Sequence, residues 1–144
     1  MQIQIVEPLP AVIANVAGLS QCFSNLLANA IKFVKPGTVP QVRIWAEERP
    51  SINPPIPEPV NPSMHHSSDA GTVRFWFEDN GIGIPPEFHD RIFDMFQQLD
   101  KGYPGTGIGL ALVRKTAERM GGKVGVQSEP GKGSRFWLEL KAAP

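Results

Sequence analysis

Phe77-Glu78-Asp79-Asn80-Gly81-Ile82-Gly83-Ile84 is where the chain passes from strand to turn, and the segments on either side are arranged around that passage. Upstream, Val73-Arg74-Phe75-Trp76-Phe77 alternates as a strand does, so Asp79 should stand at the strand's end. Gly81 and Gly83 can take backbone angles closed to other residues, and without side chains they let a flat ligand approach the main chain. An ionised carboxylate only accepts hydrogen bonds, which suits the exocyclic amine of a purine. Taken alone, an Asp-Asn-Gly turn between two elements is most simply a turn.

Working outward toward the N-terminus, Gln41 to Glu47 alternates with Val42, Ile44 and Ala46 on one face and reads as a second strand. Before it, Leu19, Cys22, Phe23, Leu26, Leu27, Ala30, Ile31 and Val34 recur at three- and four-residue spacing. This predicts a helix with Asn15 as N-cap and Pro36-Gly37 as its stop. Asn25, Asn29 and Lys32 fall on a second, polar stripe beside the apolar one. Lys32 alone would suit a solvated face, but asparagine competes for backbone hydrogen bonds and is a poor helix-interior residue. An amide oxygen can ligate Mg²⁺, and a nearby ammonium can neutralise phosphate. Residues 2 to 14 give two short strand-like pieces separated by Pro8 and Pro10. Residues 49 to 71, with six prolines between Pro50 and Pro62 and then Ser, His, Asp and Gly, read as an extended insertion between two strands. His65, His66 and Asp69 within it are simplest as solvated side chains rather than a metal site.

Toward the C-terminus, Pro85-Pro86-Glu87 should open a helix carrying Phe88, Ile92 and Phe93. Gln97 to Pro104, with Lys101 and Tyr103, has no periodicity and reads as a cover over a site. Gly105-Thr106-Gly107-Ile108-Gly109-Leu110 then opens a helix that stops at Gly121-Gly122. A glycine-rich turn at a helix start offers free N–H groups and the positive end of the helix dipole, which suits phosphate. A loop selected for its conformation alone would look the same. Val124 and Val126, then Phe136, Leu138 and Leu140, make two last strands joined by a turn through Pro130 to Gly133. Arg43-Ile44-Trp45, Arg74-Phe75-Trp76 and Arg135-Phe136-Trp137 repeat one arrangement, so the three tryptophans should share the sheet face turned away from the helices. There they form either a self-contained Arg/Trp ladder or a docking surface.

With 144 residues, 41% of them hydrophobic, the chain is expected to be one domain, residues 1–144, large enough for a real core. Fourteen basic and fourteen acidic residues cancel, which argues against nucleic acid or an anionic membrane surface as the main partner. The one cysteine, Cys22, sits in the apolar helical pattern and suits a buried thiol in a reducing, cytoplasmic compartment. No apolar run is long enough to span a bilayer, so no direct membrane contact is expected, although a parent protein could still be anchored elsewhere.

Together these stretches resemble the catalytic and ATP-binding domain of bacterial sensor histidine kinases, in the superfamily that also holds gyrase, Hsp90 and MutL. Asn25 to Phe33 is similar to the N box, Asp79-Asn80-Gly81-Ile82-Gly83 to the G1 box, Arg91 to Phe96 to the F box and Gly105 to Leu110 to the G2 box. Gly131-Lys132-Gly133-Ser134-Arg135-Phe136 is similar to the closing motif. The resemblance implies a two-layer α/β sandwich, the Bergerat ATP-binding fold, with helices on one face of a mixed sheet. It implies that Asp79 binds the adenine amine, that Asn29 holds Mg²⁺, and that Asn25 and Lys32 are catalytic near the phosphates. Gly105, Thr106, Gly107 and Gly109 would wrap the phosphate tail; Phe33, Ile84 and Leu110 would give apolar contact, and Tyr103 a lid contact. Ser134 would keep a hydroxyl beside the adenine. Many members carry an arginine after the F box; this chain reads Gln97-Gln98-Leu99-Asp100 there, leaving Lys101 or Arg91 to supply the charge. The implied function is donation of the γ-phosphate of ATP to a histidine on a separate dimerisation domain, which passes it to a response-regulator receiver domain. The alternative is a nucleotide-binding interaction module without phosphotransfer. No stretch resembles the dimerisation and phosphoacceptor domain, so the chain by itself is expected to be monomeric and unable to phosphorylate itself.

Overall fold

The computed structural model describes residues 2–49, 71–94 and 109–143. Most of the Pro-rich insertion lies outside the described residues, with His65, His66 and Asp69. So do Met95, Phe96, Lys101, Tyr103, Gly105, Thr106 and Gly107.

Among the described residues, five strands form one sheet: β1 (Gln2–Ile5), β2 (Gln41–Arg49), β3 (Thr72–Asp79), β4 (Lys123–Ser128) and β5 (Ser134–Lys141), in the order β1-β2-β3-β5-β4. β1 runs parallel to β2 and the other neighbours are antiparallel, so the sheet is mixed. Helices α1 (Val16–Lys32) and α2 (Gly109–Arg119) cover one face. Period-two alternation decides which side chains meet them. Val42 and Ile44, Val73, Phe75 and Phe77, and Phe136, Leu138 and Leu140 pack against Cys22, Leu26, Ala30, Val113 and Ala117. Phe23 of α1 lies edge-on to Phe75 and Phe77, with centroids 5.5 and 4.9 Å away. The expected two-layer sandwich is the fold observed.

α1 begins as its sequence dictates. The Asn15 side chain accepts the Gly18 N–H at 3.0 Å. It ends at Lys32 rather than at Pro36-Gly37, because Phe33 leaves helical angles and its carbonyl accepts the N–H of Ile82 at 2.8 Å. A contact nearly fifty positions away along the chain thus stops the helix before the local breaker can.

Two further expectations need correction. The segment opened by Pro85-Pro86 is not a helix but two 3₁₀ turns, Pro86–Phe88 and Arg91–Phe93. Ile92 and Phe93 are buried and Phe88 partly so; three apolar side chains are too few to hold a longer helix, and tight i→i+3 turns suffice to bury them. The second strand-like piece near the N-terminus reduces to a single bridge between Val12 and Ala142. β2 and β3, in turn, pair beyond the expected strands, out to Arg49 and Thr72.

On the face away from the helices, Trp45, Trp76 and Trp137 stand in one register row. Trp45 and Trp76 are stacked, with centroids 6.0 Å apart and 12° between planes. The Arg74 guanidinium lies 3.9 Å from the Trp137 ring and holds Glu139 at 2.6 Å, while Arg135 holds Glu78 at 2.5 Å. The Trp137 ring crosses Gly125, where a Cβ would collide with it. Trp76 is only 6% exposed. The Arg/Trp side chains therefore cover much of their own sheet.

Candidate functional site

The register places Val42, Asp79, Ser134 and Ser128 opposite one another across β2, β3, β5 and β4, on the helix side at one end of the sheet. Asp79 is the last residue of β3, as its position in the alternating run requires. Its Oδ1 accepts the N–H groups of Gly81 at 2.9 Å and Ser134 at 3.1 Å. Among the described residues Oδ2 has no donor. Burial pushes the Asp79 pKa up to about 6; the two backbone bonds oppose this and neighbouring Glu78 adds to it. The result is a part-buried carboxylate half-satisfied by the main chain, at the edge of the depression that opens at the strand ends.

The glycines beside it are packed, not merely flexible. A Cβ on Gly81 would strike the Phe33 carbonyl, and one on Gly83, whose φ is +78°, would strike the Glu129 carbonyl. Hydrogen bonds lock the same turn in place: Ile82 N–H to Phe33 O and Gly131 N–H to Ile82 O, each 2.8 Å, and Ile84 N–H to Ser128 Oγ, 2.7 Å. Ile84 is buried in the core against the strand ends.

On α1, Asn25 and Asn29 are one turn apart, and among the described residues both buried Nδ2 groups have no hydrogen-bond partner. Such orphans cost about 1–3 kcal/mol each unless something polar meets them. The stripe faces the start of α2: Gly109 lies where a Cβ would come 3.9 Å from Asn25 Oδ1. Farther along, α1 and α2 approach closely, Gly18 lying against Thr116 and the Cys22 thiol 3.9 Å from the Val113 carbonyl. Burial pushes that thiol up to about 11, in keeping with an inert core cysteine. Lys32, at the end of α1, holds its ammonium 5.8 Å from the Phe33 ring centroid.

Asn25, Asn29, Lys32, Phe33, Gly109 and Leu110 thus line one flank of α1 and the start of α2, while Asp79, Gly81, Gly83, Ile84 and Ser134 gather at the end of the sheet. A depression of about 1160 Å³ opens at those strand ends, from Asp79, Ser128 and Ser134 round to Arg43, Glu78 and Arg135 on the other face. Neither Asn25 nor Asn29 lines it, so it is the mouth of the sheet end rather than the space beside α1. Arg91 is exposed in the second 3₁₀ turn.

The donor chemistry beside α1 fits a hard cation bound mainly through a ligand's phosphates and water: among the described residues it offers the neutral amide oxygens of Asn25 and Asn29 and no imidazole or thiolate. Among the described residues no group of three His, Cys, Asp or Glu could hold a metal unaided. Ser128 is a site residue that the sequence reading misses, although counting by twos from Val124 and Val126 places this polar side chain on the core side of β4. That is the signal that could have found it. No helix among the described residues is long and apolar enough to cross a membrane.

Residues 14–144 match the family described as histidine kinase-, DNA gyrase B- and HSP90-like ATPase. The chain is 36% identical over 129 residues to the sensor histidine kinase AruS of Pseudomonas aeruginosa, covering 87% of this chain and 11% of that protein. It is 37% identical over 137 residues to the phytochrome-like protein Cph1 of Synechocystis, covering 94% of this chain and 16% of that one. Among solved structures, full-length ShkA in complex with AMPPNP superposes with a TM-score of 0.71 at 34% identity, over 99% of this chain and 25% of that one. The chain therefore spans a small part of the relatives it matches. On the extent of the family match, the chain belongs to the histidine kinase-, DNA gyrase B- and HSP90-like ATPase family.

Proposed function

We propose that the chain binds Mg-ATP and donates the γ-phosphate to a histidine on a separate dimerisation domain, from which a response-regulator receiver domain takes it. The observation that carries this reading is the pairing, among the described residues, of two buried, unpartnered Nδ2 groups on α1 with a part-buried carboxylate at the sheet end whose Oδ2 has no donor. These are unsatisfied groups that a nucleotide would satisfy at both its ends. The AMPPNP held by ShkA supports the same ligand class.

In this reading Asp79 accepts the adenine amine, Gly81 and Gly83 admit the flat base, and Ser134 stands beside it. Phe33, Ile84 and Leu110 supply apolar contact. Asn25 and Lys32 act at the phosphates, with Gly109 at the start of α2; Lys101, Tyr103, Gly105, Thr106 and Gly107 would complete the lid. Asn29 would hold Mg²⁺, whose bound charge would offset that of the phosphates. The position four residues before Asn29 is Asn25, an amide, which cannot take a proton from water. A neutral histidine acceptor is already a nucleophile, so transfer to it needs mainly positioning and charge neutralisation.

Calorimetric titration tests the reading. ATP should bind saturably, more weakly once Mg²⁺ is chelated, and phosphate release by the chain alone should stay far below about one turnover per second. A folded chain that ignores ATP, or that hydrolyses it at that rate unaided, would contradict it.

A further inference from the structure

The hydroxyl of Ser128 stands at the centre of a small network whose proton directions can be worked out. Ser128 Oγ receives the N–H of Ile84 at 2.7 Å. It lies 2.9 Å from the carbonyl of Gly133, and since a carbonyl cannot donate, the one Ser128 hydrogen goes there. Ser128 Oγ is also 2.7 Å from Ser134 Oγ. With its own hydrogen committed, Ser128 can only accept at that contact, so Ser134 must donate. Ser134 is buried, 6% exposed, and directly opposite Asp79 in the ladder. Its hydroxyl hydrogen is therefore turned toward Ser128 on β4 and is not free for a ligand held at Asp79.

From this network we infer that Ser128 is a positioning residue for base selection: by holding the Ser134 hydrogen, it leaves both side-chain oxygens at the strand end, Asp79 Oδ2 and Ser134 Oγ, as acceptors. An exocyclic amine offers two N–H donors and suits such an end, directly or through a water. A keto oxygen at the same place offers none, and faces two acceptors. The selected ligand class is thus the 6-aminopurine nucleotide over the 6-oxopurine nucleotide. This inference rests on the proposed ATP reading and assigns part of its specificity to a residue that need not touch the base. Without Ser128, the Ser134 hydroxyl is released to rotate and can donate to a keto oxygen, which softens the discrimination while Asp79 remains.

The test is the ratio of dissociation constants for ATP and ITP, each titrated with Mg²⁺ into the native chain, Ser128→Ala and Ser128→Thr. The native chain should favour ATP by about 100-fold or more, and Ser128→Ala should narrow the ratio by roughly tenfold, chiefly through tighter ITP binding. Ser128→Thr, which restores a hydroxyl, should restore the ratio. A merely structural role would weaken both nucleotides together and leave the ratio alone. In a Ser134→Ala background the Ser128 substitution should no longer move the ratio. Should Ser128→Ala fail to fold, Ser128→Cys, whose thiol is a feeble partner of similar shape, should give a partial narrowing. An unchanged ratio in a folded variant that still binds ATP overturns the role of Ser128 alone; a folded native chain that binds neither nucleotide overturns the ATP reading as well.

Discussion

Asp79→Asn is expected to lose nucleotide binding and at the same time to stabilise the empty domain above pH 6. Asparagine can keep an Oδ1 acceptor for the Gly81 and Ser134 N–H groups, so the local backbone bonds survive. What changes is the other atom: an N–H₂ donor replaces the free carboxylate oxygen and would face the donor edge of the base. A donor against a donor in a buried site should lower ATP affinity by about 100-fold or more. The stability effect follows from the raised pKa. The folded Asp79 carboxyl titrates at about 6 against an ordinary value of 3.8, so the folded state holds its proton more tightly than the unfolded chain does. Its contribution to stability is fully present below the unfolded value and is lost as pH rises through about 6. The difference is on the order of 3 kcal/mol. The substituted amide does not titrate, so urea unfolding of the two chains should differ more at pH 8 than at pH 4, with the variant gaining ground as pH rises. Parallel curves at the two pH values, or undiminished ATP affinity, would show that Asp79 is not the part-buried carboxylate described.

Gly83→Ala should be the most damaging small substitution on the stability side. Its φ of +78° is strained for an L side chain, and the added methyl would collide with the Glu129 carbonyl and approach Pro130 Cα to 3.0 Å. These neighbours are backbone, so the β4–β5 turn would have to move, loosening Gly131 N–H to Ile82 O and Ile84 N–H to Ser128 Oγ. Backbone strain of about 1–3 kcal/mol plus overpacking of about 1–3 kcal/mol is a large share of an ordinary domain's stability. Gly131 provides the control, for its φ of +80° is similar but nothing lies within 4 Å of an added Cβ. Gly131→Ala should therefore show the conformational cost alone, about 1 kcal/mol. Equal losses for the two variants in urea unfolding would refute the close packing of the Asp79 turn.

What could be read from residue order and what could not divide along a physical line. Alternation is local, so the faces of β2, β3 and β5, the row of tryptophans and the place of Asp79 at a strand end were all legible. The same holds for the Asn15 cap, which needs only the Gly18 N–H three residues on. The early end of α1 was not, because it depends on the Phe33 carbonyl meeting Ile82 from across the fold. Nor were the 3₁₀ turns, since Pro85-Pro86 signals a helical start equally well for a short turn and a long helix. Of the candidate site, Asn25, Asn29 and Asp79 stood out because each is a costly residue where it sits. Alternation places Ser128 on the core side of β4, but that its hydroxyl meets Ile84 from one segment and Gly133 and Ser134 from another is a matter of packing across the fold.

The most direct test of the central proposal is phosphoryl transfer. The native chain would be mixed with ATP labelled at the γ-phosphate, Mg²⁺ and a separately prepared histidine-bearing dimerisation domain of a sensor kinase. Acid-labile, alkali-stable label on that domain, absent when its histidine is replaced and absent with Asp79→Asn, is the predicted result. Label that stays in ATP although the chain binds it, or that appears on a hydroxyl side chain or on this chain itself, would contradict the account.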